Sequence, residues 1–125
     1  MKKLSDCRVL LVDDAKPNLD ILVEGLKSDH KLSLALNGET ALQIATRIPP
    51  DLVLLDIMMP GMDGYETMRA IRQDPRHRLL PMIALTAKAM KGDREKCLEA
   101  GASDYIAKPV NTDQLLSLLR VWLHR

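Results

Sequence analysis

The chain has 125 residues, 46% of them hydrophobic and 28% charged, which is the length and balance of one folded domain with its own core and excludes a disordered tail or a collagen-like strand. A formal net charge of +1 supplies no global field toward nucleic acid or an anionic membrane. Aromatics are only 2%, with no Phe, so stacking on bases or flat cofactors is poorly provided for.

Short apolar blocks alternate with helical stripes along the chain. Val9-Leu10-Leu11-Val12 reads as a buried strand that ends in Asp13-Asp14. Leu19, Leu22, Val23 and Leu26 then follow helical spacing, with Pro17 in the first turn. Leu32-Ser33-Leu34-Ala35-Leu36 alternates as an edge strand does. Ala41, Ile44, Ala45 and Ile48 form the next stripe, stopped by Pro49-Pro50. Leu52-Val53-Leu54-Leu55 is a second buried block and ends in Asp56. Tyr65, Met68 and Ile71 mark a third helix, ended by Asp74-Pro75. Met82-Ile83-Ala84-Leu85 ends in Thr86, and a fourth helix runs from about Met90 to Ala100, closed by Gly101. Tyr105-Ile106-Ala107 ends in Lys108-Pro109, and Leu115, Leu118, Leu119 and Trp122 make a fifth helix capped by Asn111 or Thr112.

Five strand–helix pairs predict an α/β fold, a (βα)5 open, doubly wound parallel sheet of flavodoxin-like order 2-1-3-4-5. Cys7 and Cys97 stand far apart with no clustered His, which excludes a zinc site and a disulfide framework and suits a reducing, cytoplasmic setting. The start carries no apolar signal region, and no apolar run approaches a membrane span.

The informative feature is where the polar residues fall. Each long strand ends in a charged or hydroxyl residue at the edge where open α/β sheets bind ligands. In this strand order the first and third strands are neighbours, so Asp13, Asp14 and Asp56 converge. Two carboxylates about 4 Å apart repel by about 4 kcal/mol at an effective dielectric near 20. Three such pairs approach the roughly 5–15 kcal/mol that holds a domain folded. The cluster must therefore protonate, spread into water or bind a cation, and an all-oxygen set with water suits Mg²⁺. Lys108 adds a fixed cation and Thr86 a hydroxyl, the complement a transferring phosphoryl group requires. Taken singly, each residue has a plainer role as a cap, a turn or a solvated side chain. The basic run Arg69, Arg72, Arg76, His77 and Arg78 reads as cations near a helix C-terminus. His30, His77 and His124 read as surface residues, and the methionines, Met58 among them, as core and loop filler.

The chain resembles the receiver domain of two-component response regulators over its full length, as a single domain 1–125. The stretches that carry the resemblance are Leu10 to Asp14, Asp51 to Gly64, Ile83 to Ala87 and Ala100 to Pro109. The run from Ala89 to Cys97 is most similar to receivers of hybrid sensor kinases and phosphorelays. The resemblance implies that Asp56 is the phosphoacceptor, taking its phosphoryl group from a phosphohistidine of a histidine kinase or histidine-phosphotransfer domain. It implies that Asp14, Asp56 and the backbone carbonyl of Met58 hold Mg²⁺, with Asp13 acting through a metal-bound water. Lys108 pairs with Asp56 and then with the phosphoryl group, while Thr86 and Tyr105 relay the change to the face of the fourth helix, fifth strand and fifth helix. The Lys108–Pro109 peptide is expected to be cis. Such a domain is a switch rather than a turnover enzyme, and it signals to a downstream protein.

Rearrangement is expected in Ala87 to Gly92, a segment of little bulk. Met58 and Lys88 cannot orient water as a carboxylate or carboxamide does, so self-dephosphorylation should be slow. Leu116 and Leu123, beside the core stripe of the last helix, are candidates for a partner-binding face. Three other readings differ in a checkable way. A haloacid-dehalogenase-type phosphatase requires an acid two residues after the nucleophile, where Met58 stands. A flavodoxin-like cofactor binder requires phosphate-cradling Ser, Thr and Gly after the first strand, where Asp13-Asp14 stand. An interaction module that is never phosphorylated has no use for the full set Asp13, Asp14, Asp56, Thr86 and Lys108.

Overall fold

Five strands and five helices alternate in chain order: β1 (Arg8–Val12), α1 (Lys16–Leu26), β2 (Lys31–Ala35), α2 (Gly38–Arg47), β3 (Leu52–Asp56), α3 (Gly64–Arg72), β4 (Met82–Thr86), α4 (Lys91–Ala100), β5 (Asp104–Ala107) and α5 (Thr112–Leu123). The computed structural model describes residue 3 and residues 6–59, 61–86 and 91–123, apart from the side chains of Lys91 and Asp93. All strand pairings are parallel, in the order β2-β1-β3-β4-β5. The sequence predicts this order, with alternating β2 at one edge.

The central strands are buried on both faces because their alternate residues feed two separate cores. Val9 and Leu11 of β1, Leu52 and Leu54 of β3, and Ile83 and Leu85 of β4 pack with α1 and α5 through Leu19, Leu22, Leu26, Leu115 and Leu119. Leu10, Val12, Val53, Leu55, Met82 and Ala84 face the other way, onto Ala41, Ala45, Met68, Ile71, Cys97 and Ala100 of α2, α3 and α4. Burying a leucine contributes about 1.5–3 kcal/mol relative to leaving it exposed. That apolar sum is what tolerates charge at the strand ends.

Local chemistry sets the helix ends. Asn37 caps α2 by accepting from the Thr40 N–H at 2.8 Å, and Asp63 caps α3 by accepting from Glu66 N–H at 2.9 Å. Of the two candidate caps for α5, Asn111 supplies the side-chain bond, accepting from Gln114 N–H at 3.0 Å. Gly101 follows α4 at φ +113°, a left-handed conformation that a side chain rarely adopts.

Several sequence-based expectations are corrected. Ile48 is not part of the α2 stripe: it lies beyond the last helical residue at φ −128°, ψ 79°, pushed out of the helical region by the proline that follows, and it is 49% exposed. His30 and His77 are buried rather than surface residues. His77 is enclosed where Arg72 of α3 donates to its carbonyl at 2.7 Å. Met58 is not core filler but 69% exposed, whereas Met59, Met68 and Met82 are buried. Leu116 and Leu123 pack against the core on the α1/α5 side. Met90, His124 and the 87–90 part of the segment expected to rearrange, including Lys88, lie outside the described residues.

Candidate functional site

Strand register and pleat gather the polar residues. Val12 of β1 pairs with Leu55 of β3, so Asp13 and Asp56 follow side by side. Thr86 of β4 pairs with Ala107 of β5, and the N–H of Lys108 donates to the Thr86 carbonyl at 2.7 Å. Side chains alternate along a strand with period two. Asp13, Asp56 and Lys108 stand two residues past Leu11, Leu54 and Ile106, all members of the α1/α5 core, and so emerge toward that side. Thr86 stands two past Ala84 of the other core, against which Tyr105 also packs. The same pleat therefore places Asp13, Asp56 and Lys108 on one side of the sheet end and Thr86 with Tyr105 on the other.

Asp13 is fully buried, Asp56 is 4% exposed, and Asp14 is exposed. One carboxylate oxygen from each of the three lies within 4.8 Å of the others. Lys108 Nζ is 3.1 Å from Asp56 Oδ2 and 3.6 Å from Asp13 Oδ2. Asp56 Oδ1 accepts from the Met58 N–H at 3.0 Å, and Asp13 Oδ1 from the Ala15 N–H at 2.9 Å. Asp13 Oδ2 is buried with no hydrogen bond among the described residues. Burial pushes the Asp56 carboxyl above its ordinary range, opposed by the Met58 N–H and Lys108 and assisted by repulsion from Asp13.

Among the described residues one ammonium faces three carboxylates, which when all ionised leaves two negative charges uncompensated. The buried oxygen of Asp13 lacks a donor. An all-oxygen, doubly deficient cluster with its exposed member, Asp14, open to water fits a small divalent cation such as Mg²⁺.

The backbone that presents Asp56 depends on a residue whose structural role composition does not reveal. A Cβ on Gly64 would lie 2.6 Å from both the Asp56 carbonyl oxygen and Ile57 Cα. Its N–H donates to the Ile57 carbonyl at 3.1 Å, so α3 begins pressed against the loop that leaves β3. The sequence-level signal was a glycine directly after a capping aspartate. At the other end of the sheet, the guanidinium of Arg72 donates twice to the one carbonyl of Gly101, at 2.8 and 3.1 Å, as well as to that of His77. Arg72 thus ties α3 to the end of α4 rather than decorating a basic patch. The Lys108–Pro109 peptide is cis, as expected.

The model of the response regulator receiver domain family matches residues 9–120. The chain belongs to this family. It is 42% identical over 114 residues to the response regulator PleD of Caulobacter vibrioides (strain NA1000 / CB15N), covering 90% of this chain and 25% of PleD. It is 43% identical over 113 residues to the signal transduction histidine-protein kinase BarA of Escherichia coli (strain K12), covering 89% of this chain and 12% of BarA. The chain thus spans a quarter or less of these relatives. The receiver domain of the sensor histidine kinase PA1611 from Pseudomonas aeruginosa PAO1, solved with magnesium in its active-site cleft, superimposes with a TM-score of 0.89 at 38% identity over 96% of this chain and 99% of that one. Receivers of sensor kinases are thus among its relatives, as the resemblance implied. A receiver is a signalling module, not a turnover enzyme. Among the described residues of this receiver no helix is long and apolar enough to cross a membrane.

Proposed function

We propose that this receiver is a phosphoryl-accepting switch with Asp56 as acceptor and a phosphohistidine, of a histidine kinase or histidine-phosphotransfer domain, as donor. The observation that carries this reading is the 3.1 Å approach of Lys108 Nζ to the Asp56 carboxylate within an acidic cluster that leaves a buried oxygen of Asp13 without a hydrogen bond. An Asp56 oxygen attacks phosphorus, the P–N bond of the donor breaks, and its electron pair stays on the imidazole nitrogen. Asp13, Asp14 and Asp56, with the backbone carbonyl of Met58, would hold Mg²⁺, which offsets charge as anionic acceptor and anionic phosphoryl group meet. The Met58 N–H fixes one Asp56 oxygen and so directs the other toward Lys108, which then follows the phosphoryl group.

Phosphorylation adds about 1.5–2 negative charges and three acceptor oxygens. Thr86, buried at the end of the adjacent strand, is the hydroxyl we assign to receive them. Its displacement frees space next to Tyr105, whose ring already carries the Arg94 guanidinium of α4 at 5.9 Å from its centroid. The change then reaches the face of α4, β5 and α5, where we place the contact with a downstream protein. Exposed Met58 offers no acceptor to orient water, so the phosphoryl group is lost slowly. Cys7 and Cys97, both buried and in no disulfide, agree with a reducing cytoplasm.

Acetyl phosphate with Mg²⁺, followed by intact-mass measurement, tests the assignment. One added phosphoryl group is expected, absent in Asp56→Asn and after chelation. Uptake by Asp56→Asn would overturn it. Thr86→Ala should still be modified without the spectral change at α4 and β5, and a phosphoryl half-life of seconds would contradict slow loss.

A further inference from the structure

The acidic cluster does not stand alone at the sheet end. A cleft of about 450 Å³ opens beside it, with Asp13 and Lys108 at its charged end and Ile21, Leu22, Pro109 and Val110 among its walls. Leu22 is buried, but Ile21 is 64% exposed, an apolar side chain kept at the rim of a highly charged site. The volume is that of a small-molecule pocket, usually about 300–1,000 Å³, and an apolar wall with a few polar groups at one end is the usual composition of such pockets.

Continuity with Lys108 decides what the cleft takes. Lys108 Nζ, 3.1 Å from the Asp56 carboxylate, is the cation on which phosphoryl oxygens come to rest. A donor held there has its remaining part beside Ile21, Leu22, Pro109 and Val110. We infer that the cleft selects among small phosphoryl donors and favours acyl phosphates whose acyl group is apolar, which bind by laying that group between α1 and the segment after β5. This rests on Asp56 being the acceptor. An Asp56 oxygen bonds to phosphorus, the bond between phosphorus and the acyl oxygen breaks, and the carboxylic acid leaves as its anion, so no proton or further reagent is needed.

Butyryl and acetyl phosphate are the matched probes, since their leaving carboxylates differ little in basicity but by two methylenes in apolar surface. Each methylene fully buried is worth about fourfold in binding. With donor below saturation, butyryl phosphate should modify the protein about four- to fifteenfold faster than acetyl phosphate. That ratio should fall toward one in Ile21→Ser and in Val110→Ser. A probe that cannot react, butylphosphonate, should shift the methyl resonances of Ile21 and Val110 where methylphosphonate does not. Equal rates with the two donors, or a preference that survives both substitutions, overturn the inference and leave the apolar rim to a protein partner. If neither donor adds a phosphoryl group, the assignment of Asp56 fails instead, and the butylphosphonate shifts alone decide the cleft: shifts at Ile21 and Val110 uphold it, and their absence removes it.

Discussion

The two ends of the sheet treat polar groups in opposite ways. At the end where strands begin, most partners are supplied. Asp51 accepts from the Arg8 N–H at 2.8 Å, Ser103 and Met82 bond in both directions at 2.7 and 3.1 Å, and Arg72 spends its guanidinium on backbone carbonyls. At the end where strands finish, a buried Asp13 oxygen lacks a donor and one lysine serves two carboxylates. The first arrangement holds the fold; the second holds a deficit that a cation and a phosphoryl group can fill. Native proteins depart from local satisfaction mainly at functional sites. Among the described residues His77 Nε2, at the starting end, is also buried without a hydrogen bond, but Asp74 lies 3.8 Å from it, whereas the clustered carboxylates are confined to the carboxyl ends of the strands.

Steric change at the finishing end should have the largest effect. Gly64→Ala drives a methyl group into the backbone at Asp56 and Ile57, which cannot rotate away as a side chain can. A loss of about 3 kcal/mol in urea unfolding is expected, with slower phosphoryl uptake because the loop carrying Asp56 must shift. Unchanged stability and uptake would show that this loop is not held as tightly as the contact implies. Next in size, Arg72→Ala leaves carbonyls at the starting end without their donor and should cost about 2 kcal/mol. Its response to divalent cation should match that of the wild type; a lost response would mean that the two ends are not independent.

Two carboxylates sharpen the contrast without any substitution. Asp74, bonded to the Arg76 guanidinium and backbone, is held down to about 2, while burial raises Asp56. The signs differ accordingly. The contribution of Asp74 to stability is present above its unfolded pKa and fades as pH falls toward 2. That of Asp56 runs the other way: the metal-free fold favours its protonated form and loses stability as pH rises through its raised range. Carboxyl NMR titration in chelator should show Asp74 at about 2 and Asp56 above the ordinary carboxylate range. An Asp56 titrating below that range would mean that Lys108 and the Met58 N–H outweigh burial.

Most of the fold was legible because each strand is a short apolar block with polar punctuation, and register then follows from parallel crossovers. The site was legible for a related reason: Asp13, Asp56, Thr86 and Lys108 each directly follow such a block. The alternation that sends Val9 and Leu11 to one core also singles out Asp13, rather than Asp14, as the buried acid, a signal present in the sequence. What lay out of reach depends on partners remote along the chain. Nothing near Arg72 announces the Gly101 carbonyl, 29 residues away, and nothing near His77 announces its burial. The place of Met58 two residues past Asp56 was legible, but its side chain, read as filler, is exposed, because a methionine has the same composition whether it fills a core or faces solvent.

Thermal unfolding of wild type and Asp13→Asn, with chelator and with Mg²⁺, reaches the central point most directly. Removing one charge from an under-compensated cluster should stabilise the metal-free protein by about 1 kcal/mol. Added Mg²⁺ should raise the wild-type melting temperature and leave Asp13→Asn with a much smaller rise, so that the order narrows or reverses. A wild type that is the more stable of the two in chelator and indifferent to Mg²⁺ would show that the cluster is already satisfied, and the deficit proposed for the carboxyl end would not exist.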